Sequence, residues 1–139
     1  MTGVTFGNKH TWTDWGAYLN TRPAIASPEP RTKIIDVEGS NGSLDLTELF
    51  GRVLYKDREF SVKLLLIDNR EDWDSTYSTI LNYLHGRRMD MITDEDSGYK
   101  WNGRFYVEGM QTSDYKAIIT IKGTLNPFKI SLTDGSQSL

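Results

Sequence analysis

Phe60, Val62, Leu64 and Leu66 occupy every second position between Glu59 and Ile67, with Ser61, Lys63, Leu65 and Ile67 between them. A spacing of two places the first set on one face of a β-strand and the second set on the other. The second face turns apolar at Leu65 and Ile67, so this strand is expected to be central and covered on both sides at that end. Tyr115, Ala117, Ile119 and Ile121 repeat the spacing in a second run, Tyr115 to Leu125. Two such runs commit the chain to a β core, and the remaining elements have to be arranged around it.

Shorter strands are expected at Thr2 to Phe6, Ala17 to Thr21, Thr32 to Val37, Arg52 to Tyr55, Arg88 to Thr93, Tyr99 to Trp101 and Arg104 to Met110. Lys56-Asp57-Arg58 reads as a hairpin turn, and Asn102-Gly103 is the strongest short hairpin signal in the chain. Pro23, Pro28 and Pro30 mark an extended surface loop, because proline fixes φ and removes a backbone donor. One helix is expected over about residues 70–85. Trp73, Tyr77, Ile80, Leu81 and Leu84 form a single apolar stripe, Asp68 or Asn69 is placed to cap its start, and Gly86 follows its last turn. His85, Arg87 and Arg88 then place positive charge at its far end. The expected fold is therefore mainly β: an antiparallel β-sandwich of two packed sheets with one flanking α-helix. The 139 residues divide into a single β domain over 1–130 and a polar, flexible C-terminal tail over 131–139.

Composition narrows the chemistry. With no cysteine the chain has neither disulfides nor thiolate metal ligands, which fits synthesis in a reducing compartment. His10 and His85 are far apart in sequence, which disfavours a zinc site. A net charge of −3 argues against a protein that grips phosphates. No apolar run approaches the length of a membrane span, and Met1 to Phe6 lacks the basic and apolar regions of a signal peptide.

Individual candidates for chemistry are weak. Asp90, Asp94, Glu95 and Asp96 are the densest acidic cluster, but Asp94 to Gly98 reads as a turn, where carboxylates are solvated and lack the burial that general acid catalysis needs. Asp94 and Asp96 are spaced like calcium-loop ligands, yet the glycine and terminal glutamate of a calcium helix-loop-helix site are misplaced. No Gly-x-Ser-x-Gly elbow occurs, and Gly39-Ser40-Asn41-Gly42 lacks the Lys-Ser/Thr continuation of a phosphate loop. No catalytic residue, cofactor site or metal site is nominated. Trp101, beside Asn102-Gly103, is the candidate exposed aromatic contact; a stacking surface for sugar would make the chain a carbohydrate-binding β-sandwich module. What remains is residues 36–48, Asp36-Val37-Glu38-Gly39-Ser40-Asn41-Gly42-Ser43-Leu44-Asp45-Leu46-Thr47-Glu48, a polar arm leaving one strand and returning as another. It is either a hairpin tip with no partner or an element that reaches a neighbouring subunit.

The order of motifs along the chain carries a resemblance. Val4 to His10 leads to Trp15 to Leu19, then to Pro28-Glu29-Pro30-Arg31-Thr32, the 36–48 arm, Tyr55 to Glu59 and a helix ending Leu84-His85-Gly86-Arg87. Asp94 to Tyr99, Asn102 to Phe105 and Asn126-Pro127-Phe128-Lys129 complete the series. This succession, over residues 3 to about 130, resembles the N-terminal domain of the phage distal tail proteins, the baseplate hubs of long non-contractile (siphovirus) tails. The resemblance implies a virion structural protein, made in the host cytoplasm and placed at the tail tip, with no enzymatic role and no cofactor. It implies a hexameric ring, with the chain itself, the major tail-tube protein and the tail-associated hub or fibre protein as partners. The second, C-terminal domain carried by many members has no counterpart in this sequence. A hub of a contractile tail or tailocin would share the same fold. On this reading the arm is an intersubunit element, with Val37, Leu44, Leu46, Leu49 and Phe50 as apolar anchors and Gly39 and Gly42 letting the backbone turn. Six copies at −3 each would also repel a genome passing through the ring without specific binding.

Overall fold

The computed structural model describes residues 2–39, 41–49 and 51–139. Twelve strands are present among them: β1 Val4–Phe6, β2 Lys9–His10, β3 Tyr18–Leu19, β4 Ala24–Ile25, β5 Ile34–Asp36, β6 Ser43–Asp45, β7 Arg58–Leu66, β8 Arg87–Thr93, β9 Tyr99–Thr112, β10 Ala117–Leu125, β11 Lys129–Ser131 and β12 Gln137–Ser138. One α-helix, α1, spans Trp73–Leu84. Ten strands share one antiparallel sheet in the order β2-β1-β8-β9-β10-β7-β3, with β4 on β7 and the β11–β12 pair on β9; β5 and β6 pair only with each other.

The alternating runs fix the centre of this sheet. β7 and β10 pair along their whole length, from Ala117 opposite Leu66 to Leu125 opposite Arg58. Phe60, Val62, Leu64 and Leu66 face Ala117, Ile119, Ile121 and Leu125 in one core, all of them buried. The sheet then curls on itself. Phe6 of β1 and Phe60 of β7 are four strands apart in sheet order, about 19 Å in a flat sheet at ~4.8 Å per strand. Their ring centroids are 6.3 Å apart, and Phe105 of β9 packs edge-on against both. The fold is mostly antiparallel β with a single helix, as expected, but its two layers are halves of one curled sheet rather than two separate sheets.

α1 closes the structure with Trp73, Ile80 and Leu84 buried, and Tyr77 and Leu81 packed beside them. The Tyr83 hydroxyl donates to the Phe6 carbonyl at 2.7 Å and accepts from the Asn8 N–H at 3.1 Å, tying the helix to the β1–β2 turn. Its start differs from expectation. Asn69 takes a left-handed conformation, Arg70–Asp72 form a 3-10 turn, and neither Asp68 nor Asn69 caps the helix with its side chain. The Trp73 indole N–H instead donates to the Asp68 carbonyl at 3.1 Å. Gly86 follows the helix at φ 77°, the conformation expected at that end. His85 has a different part from the expected placing of charge: its Nδ1 accepts the Val107 N–H at 3.0 Å and joins the helix end to β9.

Four other expectations are corrected. Asn102 and Gly103 lie inside the 14-residue strand β9 and make no turn. Lys56 to Arg58 is not a hairpin either, because Arg58 already begins β7 and Tyr55 forms only an isolated bridge to Pro30. Tyr115 sits in the β9–β10 turn, 84% exposed, and the inward series starts at Ala117. Residues 131–139 are not a free tail, since β11 and β12 form a hairpin laid on β9 through Ile130 opposite Lys100 and Ser131 opposite Tyr99.

Candidate functional site

The arm is where several large apolar side chains, Ile34, Ile35, Val37, Leu44 and Leu49, stay exposed to solvent. It leaves the body through a narrow neck. Pro30 bridges Tyr55, the Arg31 N–H donates to the Leu54 carbonyl at 2.6 Å, and the Lys56 N–H donates to the Glu29 carbonyl at 2.8 Å. The neck is seated on the body by Tyr55, edge-on to Phe128 at 6.0 Å, and by Arg58. The Arg58 guanidinium donates to the carbonyls of Ala26 and Pro127 and lies 5.0 Å over the Trp101 ring. Desolvation there lowers its pKa from the ordinary value, although a guanidinium keeps its charge at any physiological pH.

Beyond the neck, β5 and β6 form an isolated two-stranded ribbon, with Ile34 opposite Asp45, Ile35 opposite Leu44 and Asp36 opposite Ser43. The register sorts the side chains. Ile35 and Leu44 share one face, flanked on the same side by Val37 and Leu46, whereas Ile34, Asp36, Ser43 and Asp45 share the other. Ile35, Val37 and Leu44 are 42%, 47% and 49% exposed, and Leu46 is half-buried. Leu49, in the turn beyond, is exposed at 57%. Gly39 and Gly42, both at positive φ, turn the chain at the tip. The residues nominated from sequence as an intersubunit arm thus fall on one projecting element, apart from Phe50, which lies outside the described residues.

The ribbon is held by its own polar contacts. The Ser43 hydroxyl donates to Asp36 at 2.8 Å, and the Leu46 N–H donates to the Lys33 carbonyl at 2.6 Å. The Thr47 hydroxyl and N–H both donate to the Asp45 carboxylate and hold its pKa below the ordinary value of 3.8. A two-stranded ribbon alone is marginal in water and can bury neither face. Its apolar side is therefore left exposed to solvent in the single chain.

The other nominated residue moves the opposite way. Trp101 is not an exposed contact: it is 5% exposed, inside the core. Because Asn102-Gly103 continues the strand, Trp101, Gly103, Phe105 and Val107 all point inward at a spacing of two. The acidic cluster is equally committed to structure. Asp94 accepts the Gly3 N–H and a bond from His10 Nε2 at 2.9 Å, Asp96 pairs with Lys129 at 2.8 Å, and Glu95 pairs with Arg22 at 3.5 Å. His10 Nδ1 meanwhile accepts the Trp12 and Thr13 N–H groups. Among the described residues no group of three or more His, Cys, Asp or Glu is arranged to hold a metal ion, and no helix is long and apolar enough to cross a membrane.

A second surface was not signalled in the sequence. An open trough of about 820 Å³ runs over the outer side of β4, β7 and β10, walled by Pro23, Ile25, Tyr106 and Thr124. It adjoins a second depression of about 660 Å³ lined by Arg22, Lys63, Glu108 and Met110, and the two share Ala24, Ser61 and Lys122. Neither is an enclosed pocket with convergent polar groups of the kind that takes a small ligand. β4 creates the trough by returning to the edge of β7, a pairing of two residues that no local pattern announces.

No protein-family model and no curated protein matches the chain. Among solved structures, the crystal structure of the Dit protein of phage SPP1, described as a paradigm of the hub adsorption apparatus in phages infecting Gram-positive hosts, is similar to it. The TM-score is 0.68 at 12% identity, with 94% of this chain and 52% of that one covered. At that identity the likeness is one of fold, and this chain spans about half the length of the SPP1 protein. Weaker likenesses are to chains in the virion of a native gene transfer agent particle (TM-score 0.47, 12% identity, 99% and 95% covered) and in the tail of an empty particle of that kind (0.42, 14%, 88% and 82%).

Proposed function

We infer that this chain is a structural protein of a phage or prophage tail, forming a ring, hexameric by resemblance, at the distal end of the tail and linking the tail tube to the hub or fibre protein beneath it. The observation that carries this reading is the arm. A β domain whose buried polar side-chain atoms are all satisfied among the described residues still projects a ribbon with one apolar face in solvent. Such a face gains free energy only by meeting another molecule. The fold likeness to the SPP1 hub protein over 94% of this chain supplies the setting. Where the arm docks on any surface of the next copy other than that copy's arm, the contact is heterologous, and heterologous contacts close into rings when the rotation fits.

The test is the mass of the protein in solution by light scattering across a concentration series, followed by electron microscopy of negatively stained particles. Association towards six times 15.9 kDa, with rings in the images, is the expected result. A strict monomer up to millimolar concentration, with no rings, would count against it.

A further inference from the structure

The trough and the apolar face of the arm are complementary, and both are open to solvent among the described residues. Segment 36–48 carries Asp36, Glu38, Asp45 and Glu48 and no lysine or arginine. The depression that continues the trough carries Arg22, Lys63 and Lys122 against the single acid Glu108. Lys122 is partly neutralised by Glu108 at 3.2 Å and Arg22 by Glu95, whereas Lys63 has no ion pair among the described residues. The trough's other end offers apolar walls, Pro23, Ile25 and a Tyr106 ring that is 42% exposed. The arm has a related division: an apolar stripe of Ile35, Val37, Leu44 and Leu46 on one face, Asp36 and Asp45 on the other, and Glu38 next to the tip. The two surfaces are also linked within each chain. Ala26 and Glu59, at the trough's lip, are joined at 2.9 Å immediately before the chain enters the neck of the arm.

We propose that the arm of one copy lies along the trough of the next copy, its Ile35–Leu44 face against Pro23, Ile25 and Tyr106 and its acidic tip towards Lys63. This rests on the ring reading above and deepens it by naming the receiving surface. Each copy then gives an arm to one neighbour and takes an arm from the other. The contact is directional, and its opposite charges favour arm-to-trough over arm-to-arm pairing, which would bring two four-carboxylate segments together.

The absence of native cysteine makes disulfide capture a clean experiment. Full-length protein carrying Leu44→Cys and Thr124→Cys, both exposed positions, is oxidised mildly and run without reductant. A ladder of covalent oligomers that needs both substitutions is expected. Lys63→Glu in the same background should weaken association by roughly fivefold, the scale of one exposed ion pair, and adding Glu38→Lys should restore it. Association by light scattering without the ladder would overturn the trough as the receiving surface and leave the ring reading standing. Covalent dimers from Leu44→Cys alone, as abundant as those from the pair, would replace it with arm-to-arm contact. Monomers with no capture at any concentration would overturn the docking and count against the ring reading as well.

Discussion

Ile35 in the arm and Ile119 in β10 are the same residue in the same extended backbone, yet one is 42% exposed and the other fully buried. The difference lies in the neighbours that each strand has acquired. β10 is paired on both sides, with β7 and β9, and its inward residues meet the opposite half of a curled sheet. β5 pairs only with β6 among the described residues, and the residues of both strands are exposed. A fully buried isoleucine or leucine contributes about 1.5–3 kcal/mol. The core collects that term many times within one chain, while the exposed arm residues leave theirs uncollected there. The chain thus has one region that makes it fold and another whose apolar residues the fold leaves exposed.

The largest effect should come from breaking the first region. Phe105 is fully buried and touches Phe6 at 5.1 Å and Phe60 at 5.7 Å between ring centroids, so it pins both halves of the curled sheet. Phe105→Ala is expected to cost about 3–5 kcal/mol in urea unfolding. A loss under 1 kcal/mol would mean that the halves are held together elsewhere. The arm offers the opposite case. Leu44→Asp should leave monomer stability within about 0.5 kcal/mol of wild type, as exposed substitutions do, yet sharply reduce self-association in light scattering. Leu46→Asp should behave the same way with a somewhat larger stability cost, since Leu46 is half-buried in the ribbon. If either variant unfolds the monomer, the arm belongs to the folding core and the contrast between the two regions fails.

Much of the first region was legible in the sequence because its signals are periodic. The spacing of two in β7 and β10 and the apolar stripe of α1 each locate buried faces that the structure contains. The Asn102-Gly103 signal misled because turn chemistry is local and was outweighed by alternation over a longer stretch. Gly103 has a different reason to be glycine: a Cβ there would lie 2.5 Å from the Thr124 carbonyl oxygen and 2.6 Å from Leu125 Cδ2, so β9 and β10 approach closely only without it. Gly123 plays the matching part opposite Phe105, whose ring covers it at 2.7 Å from an added Cβ. Trp101 was misplaced by the same error, since a residue beside a turn is exposed and a residue at an inward strand position is not. The arm's bounds were legible from its glycines and flanking strands, but its two faces needed the register of β5 against β6. The trough depends on β4 meeting β7 from more than thirty positions away, and distant pairing of two-residue strands leaves no pattern to find.

The smallest expected effect separates order within the arm from order imposed by a partner. Thr47 donates twice to the Asp45 carboxylate, and those bonds favour the charged form. The pKa of Asp45 is therefore lower in the folded arm than in an unfolded chain. Stability from this pair is fully present above the ordinary value of 3.8 and is lost as the pH falls through the lower folded value. At neutral pH the pair is intact and titrates nothing. In the monomer, a carboxyl titration followed by NMR should place the Asp45 midpoint below 3.8, and Thr47→Val, which keeps the shape and removes the hydroxyl, should raise it towards that value. A midpoint already at the ordinary value in the wild-type monomer would mean that the turn after β6 is not formed in isolation. The arm would then gain its shape only on docking, and binding would carry an ordering cost that a preformed ribbon avoids.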